Sequence, residues 1–254
     1  MEMNFKKLGE GSPIIILHGL FGSSDNWLSI GRVLAEHHTV YLPDLRNHGD
    51  SFHSDTFTYE AMAEDLKQFI DHHQIERPIV IGHSMGGKVA MKFAVSHPDQ
   101  LEKLVVVDIS PRAYPPHHQK ILEGLKSINL TEIGSRNEAD KALSEYVPEL
   151  GVRQFLLKNL TRGQDKQFKW KLNLFVIDEQ IENVGEGLED QLAMSKPTLF
   201  IRGEKSNYIK NEDNIVIVTF FPNSEVKTIE GAGHWLHAEQ PEAFIDMVQD
   251  FIRS

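Results

Sequence analysis

The chain has 254 residues, with 26 Lys and Arg against 37 Asp and Glu, a net charge of −11 and no cysteine. That length and a composition of 40% hydrophobic and 25% charged residues describe a folded chain with a sizeable core, one large α/β domain or two small ones. The acidic balance argues against nucleic acid as a main partner, and the lack of cysteine excludes disulfides, thiolate metal sites and a thiol nucleophile.

The first apolar run, Pro13 to Leu17, has the length of a strand, far short of the roughly 20 residues of a membrane helix. The opening Met-Glu-Met-Asn-Phe-Lys-Lys has no apolar signal core, so a cytoplasmic protein without a membrane span is expected. A glycine-rich turn, His18 to Ser23, follows that run. Next come a β-branched run at Thr39 to Leu42 and an amphipathic stretch, Tyr59 to Gln74, with Met62, Leu66, Phe69 and Ile70 on one side. Pro78 to Ile81 and Lys103 to Asp108 read as further strands, separated by a helical segment, Lys88 to Ser96.

From Pro111 to Lys196 no buried strand is expected. Helical pieces occur instead at His117–Ile128, Arg136–Tyr146 and Val152–Leu160, with a short extended stretch at Gln167–Leu172. This is too long for a loop and reads as an insertion over one end of a sheet, with the acidic run Asp178–Asp190 as its solvated surface. Strands resume at Pro197 to Ile201 and Glu225 to Ile229, and a closing helix runs from Pro241 to Ile252. Alternating strands and helices imply a mostly parallel, doubly wound sheet. The expected organisation is a core of residues 1–110 and 197–254 with a helical cap of residues 111–196.

Three motifs carry chemistry. Gly82-His-Ser-Met-Gly86 lies between a strand and a helix, the context of a nucleophile elbow, where a strained turn exposes Ser84 at a helix N-terminus. The loop after the first strand and the residue after the serine supply main-chain N–H donors to an oxyanion hole, which points to Leu20 and Met85. Of the thirteen histidines, His234 in Gly231-Ala-Gly-His-Trp235 has the position and chain order of the general base. His237 is its nearest rival, and the pairs His37-His38, His72-His73 and His117-His118 read as helix-end or surface residues. No metal-ligand spacing or phosphate-binding loop is visible.

In this order and spacing, His18-Gly-Leu-Phe-Gly-Ser23, Pro43-Asp-Leu-Arg-Asn-His-Gly-Asp-Ser51, Gly82-His-Ser-Met-Gly-Gly87 and Gly231-Ala-Gly-His-Trp235 resemble the α/β-hydrolase superfamily over nearly the whole chain. Within it, Arg46-Asn-His-Gly49, Val107-Asp-Ile-Ser-Pro111 and Phe155-Leu-Leu-Lys-Asn-Leu160 resemble the bacterial YbfF-type esterases and their mitochondrial abhydrolase relatives. The resemblance implies hydrolysis of carboxylic esters or thioesters, no cofactor, a helical cap and a small-molecule ester substrate.

The sequence departs from the superfamily at the usual acid position, a Gly-x-x-Asp turn that here reads Gly203-Glu-Lys-Ser206. Asp108, at the end of the preceding strand, is the expected third member beside Ser84 and His234, with Glu204 as runner-up. The expected function is a serine carboxylesterase on short to medium acyl esters. Carbon–carbon bond hydrolysis, lactone hydrolysis and a non-catalytic ligand-binding role are the competing readings. Phe21, Phe155, Leu156, Trp170 and Trp235 are expected to wall the substrate pocket, although each also reads as ordinary core. No feature of the sequence assigns an oligomeric state.

Overall fold

A computed structural model describes residues 2–115, 117–189 and 193–254. The chain runs through β1 (Phe5–Leu8), β2 (Ser12–Leu17), α1 (Leu28–Leu34), β3 (His38–Pro43), α2 (Tyr59–His72), β4 (Ile79–His83), α3 (Met85–Ser96) and β5 (Lys103–Val107). It continues with α4 (Gln119–Ser127), α5 (Arg136–Ser144), α6 (Leu150–Leu157), β6 (Leu160–Arg162), β7 (Phe168–Trp170) and α7 (Leu174–Glu179). The last elements are β8 (Thr198–Gly203), α8 (Asn214–Phe220), β9 (Ser224–Ile229), α9 (Leu236–Glu239) and α10 (Pro241–Arg253).

Seven strands form one sheet in the order β1-β3-β2-β4-β5-β8-β9, parallel except for β1, which pairs antiparallel with β3. Its central strands are apolar throughout because both faces are covered. Ile14 and Ile16 of β2 pack with Trp27, Ile30, Phe244 and Val248 under α1 and α10. Ile15 and Leu17 point the other way, into the cluster built by Met62, Leu66 and Phe69 of α2 and Val89 and Phe93 of α3. Each such side chain, fully buried, stabilises the fold by about 1.5–3 kcal/mol relative to exposure.

Helix α2 begins where Thr58 accepts a hydrogen bond from Ala61 N–H (3.2 Å). It ends two residues short of the predicted Gln74, because Gln74 adopts φ 52° and Ile75 N–H bonds back to Ile70 O (3.0 Å). Strand β1 was not expected from the sequence. Its Phe-Lys-Lys-Leu lies on the sheet edge and is only partly covered, so it lacks the continuous apolar run of the inner strands.

The elements between β5 and β8 are helical apart from the small β6–β7 hairpin, whose second strand falls within the predicted extended stretch. Their buried residues, among them Leu122, Leu143, Leu156 and Ile177, join the α2–α3 side of the core. This part of the chain leaves and rejoins the sheet at one place, where Tyr114 N–H bonds to Gly185 O (2.7 Å) and Leu188 N–H to Pro111 O (2.8 Å). Glu179, Glu182, Glu186 and Glu189 of the acidic run are exposed, while Asp190 lies outside the described residues. Among the described residues, no helix is long and apolar enough to cross a membrane.

Candidate active site

After β2 the chain moves outward to β3, then crosses back to β4 on the other side of β2. Such a reversal opens a crevice at the carboxyl ends of the central strands. The loops leaving β2, β4 and β5 carry Phe21, Ser84 and Asp108, and all three adopt left-handed φ angles, 59°, 51° and 52°. Each such residue costs on the order of 1–3 kcal/mol, so the surrounding structure must hold it in place.

The holding contacts at Ser84 are main-chain. Its N–H bonds to Val107 O (3.0 Å), and its carbonyl accepts Lys88 N–H (3.1 Å) to start α3. The turn is tight enough that a Cβ on Gly82 would lie 2.2 Å from Gly86 O, and one on Gly86 would lie 2.5 Å from the Leu17 and His18 carbonyls. Glycine is required at both positions. Lys88, one turn further, is buried and donates to Pro111 O (3.0 Å) and Arg112 O (2.5 Å), tying the elbow helix to the chain leaving the sheet. Burial, with Arg112 close by, pushes its ammonium down to about 7.

Asp108 is fully buried and its carboxyl accepts three hydrogen bonds. Oδ1 takes Gly203 N–H (3.1 Å), while Oδ2 takes His234 Nδ1 (2.8 Å) and the hydroxyl of Ser206. Ser206, which stands where the superfamily usually has its acid, therefore braces the carboxylate one strand away. A carboxylate only accepts, so the shared proton sits on Nδ1 and leaves His234 Nε2 free to take another. Glu204 is turned elsewhere, accepting Gly231 N–H (2.8 Å).

Three further contacts hold His234. Its carbonyl accepts from His83 Nε2 (2.8 Å), its ring stacks on Tyr208 (4.1 Å), and Trp235 meets its edge (5.8 Å). Burial beside His234 and His237 holds His83 well below the usual histidine range, so it is a neutral donor. His237 is buried against Trp27 in a stacked pair (4.0 Å), away from Asp108, and burial lowers it to about 3. The rival base is thus a core residue.

Ser84 opens into a pocket lined by Leu20, Met85, Ile109, Ile181, Val184 and the tyrosines Tyr59, Tyr114 and Tyr208, with His117 and His118 beside them. Its empty volume is about 390 Å3, the open mouth included. The Ser84 hydroxyl has no hydrogen-bond partner among the described residues, and Tyr208, which lines the same pocket, stacks on the His234 imidazole. Leu20 and Met85 N–H groups have no acceptor among the described residues and border the same space.

The pocket wall differs from the expected one. None of Phe21, Phe155, Leu156, Trp170 and Trp235 lines it. Phe21 and Leu156 are buried in the core, and Trp170 packs against it from β7. Phe155 and Trp235 meet each other (5.8 Å) beside His234. Being aromatic and near a motif was a poor guide, because the left-handed backbone at Phe21 turns its ring inward. His117 and His118, read as helix-end or surface residues, are that, His117 being exposed and His118 standing just before α4, and they also border the pocket. His117 Nε2 bonds to the Tyr208 hydroxyl (2.6 Å), and burial lowers His118 to about 4. No pattern in the sequence marks these scattered tyrosines and histidines.

Among the described residues, the side chains grouped closely enough to share a metal ion are Glu2, His72 and His73. They sit at the far end of α2 from Tyr59, some 20 Å from the pocket at 1.5 Å per residue.

A mostly parallel seven-stranded sheet in the order β1-β3-β2-β4-β5-β8-β9, with Ser84 on a strained turn between β4 and α3, has the architecture of an α/β-hydrolase. The chain belongs to that family: the alpha/beta hydrolase fold profile matches residues 12–132. It is 38% identical to the mouse (Mus musculus) sn-1-specific diacylglycerol lipase ABHD11 over 247 residues, covering 94% of this chain and 80% of the relative. It is 36% identical to Esterase YbfF of Escherichia coli K12 over 242 residues, covering 95% and 93% of the two chains. A solved marine microorganism esterase superposes with a TM-score of 0.97 at 46% identity, covering 98% of this chain and 99% of the other.

Proposed function

We propose that this chain is a serine ester hydrolase working through an acyl-enzyme. The observation that carries the reading is the 2.8 Å hydrogen bond from His234 Nδ1 to buried Asp108, formed between residues 126 positions apart. It fixes the imidazole tautomer that a base for Ser84 needs. Substrate binding excludes water and closes the Ser84–His234 hydrogen bond, which is commonly open in an empty site.

His234 Nε2 takes the Ser84 proton as Oγ attacks the ester carbonyl. The oxyanion is received by the N–H groups of Leu20 and Met85, and the positive end of α3 adds to its stabilisation. The imidazolium then protonates the departing alcohol. Water, deprotonated by the same nitrogen, attacks the acyl carbon, releases the acid and returns the proton to Ser84. Residues 111–196 act as the cap, and the small pocket of mixed aliphatic, tyrosine and histidine lining supports short to medium acyl groups; thioesters would follow the same route. The named relatives, an esterase and a diacylglycerol lipase, support acyl esters of small or glycerol-like alcohols as the substrate class.

A fluorophosphonate probe should label Ser84 alone. A nitrophenyl ester series from acetyl to palmitoyl, run beside acyl-CoA thioesters, should give its highest kcat/KM at the shorter chains. Labelling that survives loss of Ser84, or no turnover of any ester, would end the proposal.

A further inference from the structure

The peptides of residues 19–21 are held from both sides. The Gly19 carbonyl accepts Gly22 N–H (3.0 Å) and His18 Nδ1 (2.8 Å), while His18 Nε2 accepts Leu45 N–H (3.0 Å). In a trans peptide the N–H points opposite to the carbonyl, so anchoring Gly19 O turns Leu20 N–H toward the pocket that Leu20 lines. The next residue is pinned at both its backbone groups. Phe21 N–H donates to His48 Nε2 (3.2 Å), whose Nδ1 donates to Arg46 O (2.9 Å), and the Phe21 carbonyl accepts from Asn159 Nδ2 (2.7 Å).

Asn159 belongs to a different part of the chain. It sits between α6 and β6, where its Nδ2 and N–H both bond to Leu156 O (3.1 Å each) and its carbonyl accepts Lys171 N–H (2.9 Å). His48 and Asn159 are both buried, and neither lines the pocket. Each commits one polar contact to Phe21, His48 Nε2 to its N–H and Asn159 Nδ2 to its carbonyl, and the φ of 59° there is one a phenylalanine does not adopt unaided.

We propose that His48 and Asn159 are positioning residues for the oxyanion donor Leu20 N–H, and that Asn159 makes its alignment depend on the docking of the α6–β6 segment. The inference rests on the acyl-transfer reading above. Without the Asn159 amide, the Phe21 carbonyl is a buried acceptor with no other partner among the described residues, and the left-handed turn loses one of its two clamps. The loop then relaxes, and Leu20 N–H leaves the place where charge develops. The ground-state ester is held by the apolar wall and scarcely feels the change; the tetrahedral oxyanion does.

The test uses the full chain with Asn159→Ala, His48→Leu and His48→Gln, the last retaining an acceptor for Phe21 N–H. Each is assayed well below its own Tm with a nitrophenyl ester, and with an alkylboronic acid that forms a tetrahedral anion on a serine. Loss of an oxyanion donor costs ~10²–10³ in kcat, so displacement is expected to cost about 10–100-fold. Asn159→Ala and His48→Leu should lose that factor in kcat with KM within about threefold, and boronate affinity should fall in parallel. His48→Gln should recover most of it. A purely structural role would lower Tm and leave kcat and boronate affinity alone, and that result in a folded Asn159→Ala overturns the proposal, as does a kcat loss with unchanged boronate affinity. Wild-type protein that neither turns over esters nor binds boronate refutes the acyl-transfer reading itself and takes this proposal with it.

Discussion

Replacing Asp108 by Asn exchanges one oxygen for an NH2 in a fully buried site, and the surrounding hydrogen bonds decide which way the amide turns. Gly203 N–H needs an acceptor, as it has now at 3.1 Å. Giving it the amide oxygen points the NH2 at His234, which must then accept through Nδ1 and carry its proton on Nε2. That tautomer cannot take a proton from Ser84. The opposite orientation restores the productive tautomer but leaves Gly203 N–H buried against a second donor, at a cost of about 1–3 kcal/mol. Either way the negative charge facing the imidazolium is gone, worth about 4 kcal/mol for charges 4 Å apart at an effective dielectric of 20. The two effects together come to about 5–7 kcal/mol, a loss of roughly 5 × 10³ to 10⁵ in kcat. Asp108→Asn and Glu204→Gln would be compared on one nitrophenyl ester, with folding checked by circular dichroism. The Glu204 carboxylate accepts the Gly231 N–H and has no other partner among the described residues, so this variant should stay within a few-fold of wild type. An Asp108→Asn enzyme within tenfold of wild type, or an equal loss in Glu204→Gln, refutes the assignment.

Ser84→Ala and His234→Ala should each lose several orders of magnitude in ester turnover, the double variant being no worse; a single variant above roughly a hundredth of the wild-type rate contradicts the covalent route. Turnover should be unchanged by EDTA, since among the described residues the potential ligands Glu2, His72 and His73 lie far from the pocket; loss in EDTA that zinc restores would contradict this. Acid should destabilise the fold between pH 6.5 and about 3, because burial lowers His48 and His237 to about 3 and the unfolded chain binds the extra protons across that window. His237→Phe keeps the stack on Trp27 and removes one titrating ring, so thermal melts should show the decline reduced by up to ~1.4 kcal/mol per pH unit. An identical pH slope would rule out His237 as a contributor.

The parts of the fold that could be read in advance are those whose chemistry is local. Ile14 to Leu17 and Val105 to Val107 declare covered strands because every position is apolar, whereas Phe5 to Leu8 forms a strand only because β3 is there to pair with it. Ser84 stands out because a strained turn needs glycine neighbours that the sequence displays, and His234 because it follows Gly231-Ala-Gly233 after the last strand. Asp108 was reachable through the absence of an acid at Ser206, but the hydroxyl of Ser206 on the same carboxylate was not, since it joins strands 98 residues apart. The pocket wall was least legible. Tyr59, Tyr114 and Tyr208 come from three separate connections, and nothing periodic links them.

The contact of Gly82 and Gly86 with the end of β2 has a consequence for how such a protein diversifies. The turn that carries Ser84 and the loop that carries Leu20 are set against each other through main chain, across gaps that admit no side chain at all. Mutation therefore has little purchase on the spacing of the reacting groups, because almost any change there replaces a glycine and breaks the turn outright. The tyrosines and aliphatic residues around the pocket are under no such restriction. A lineage can exchange them one by one, drifting from one acyl or alcohol group to another, while the machinery it inherits stays in register.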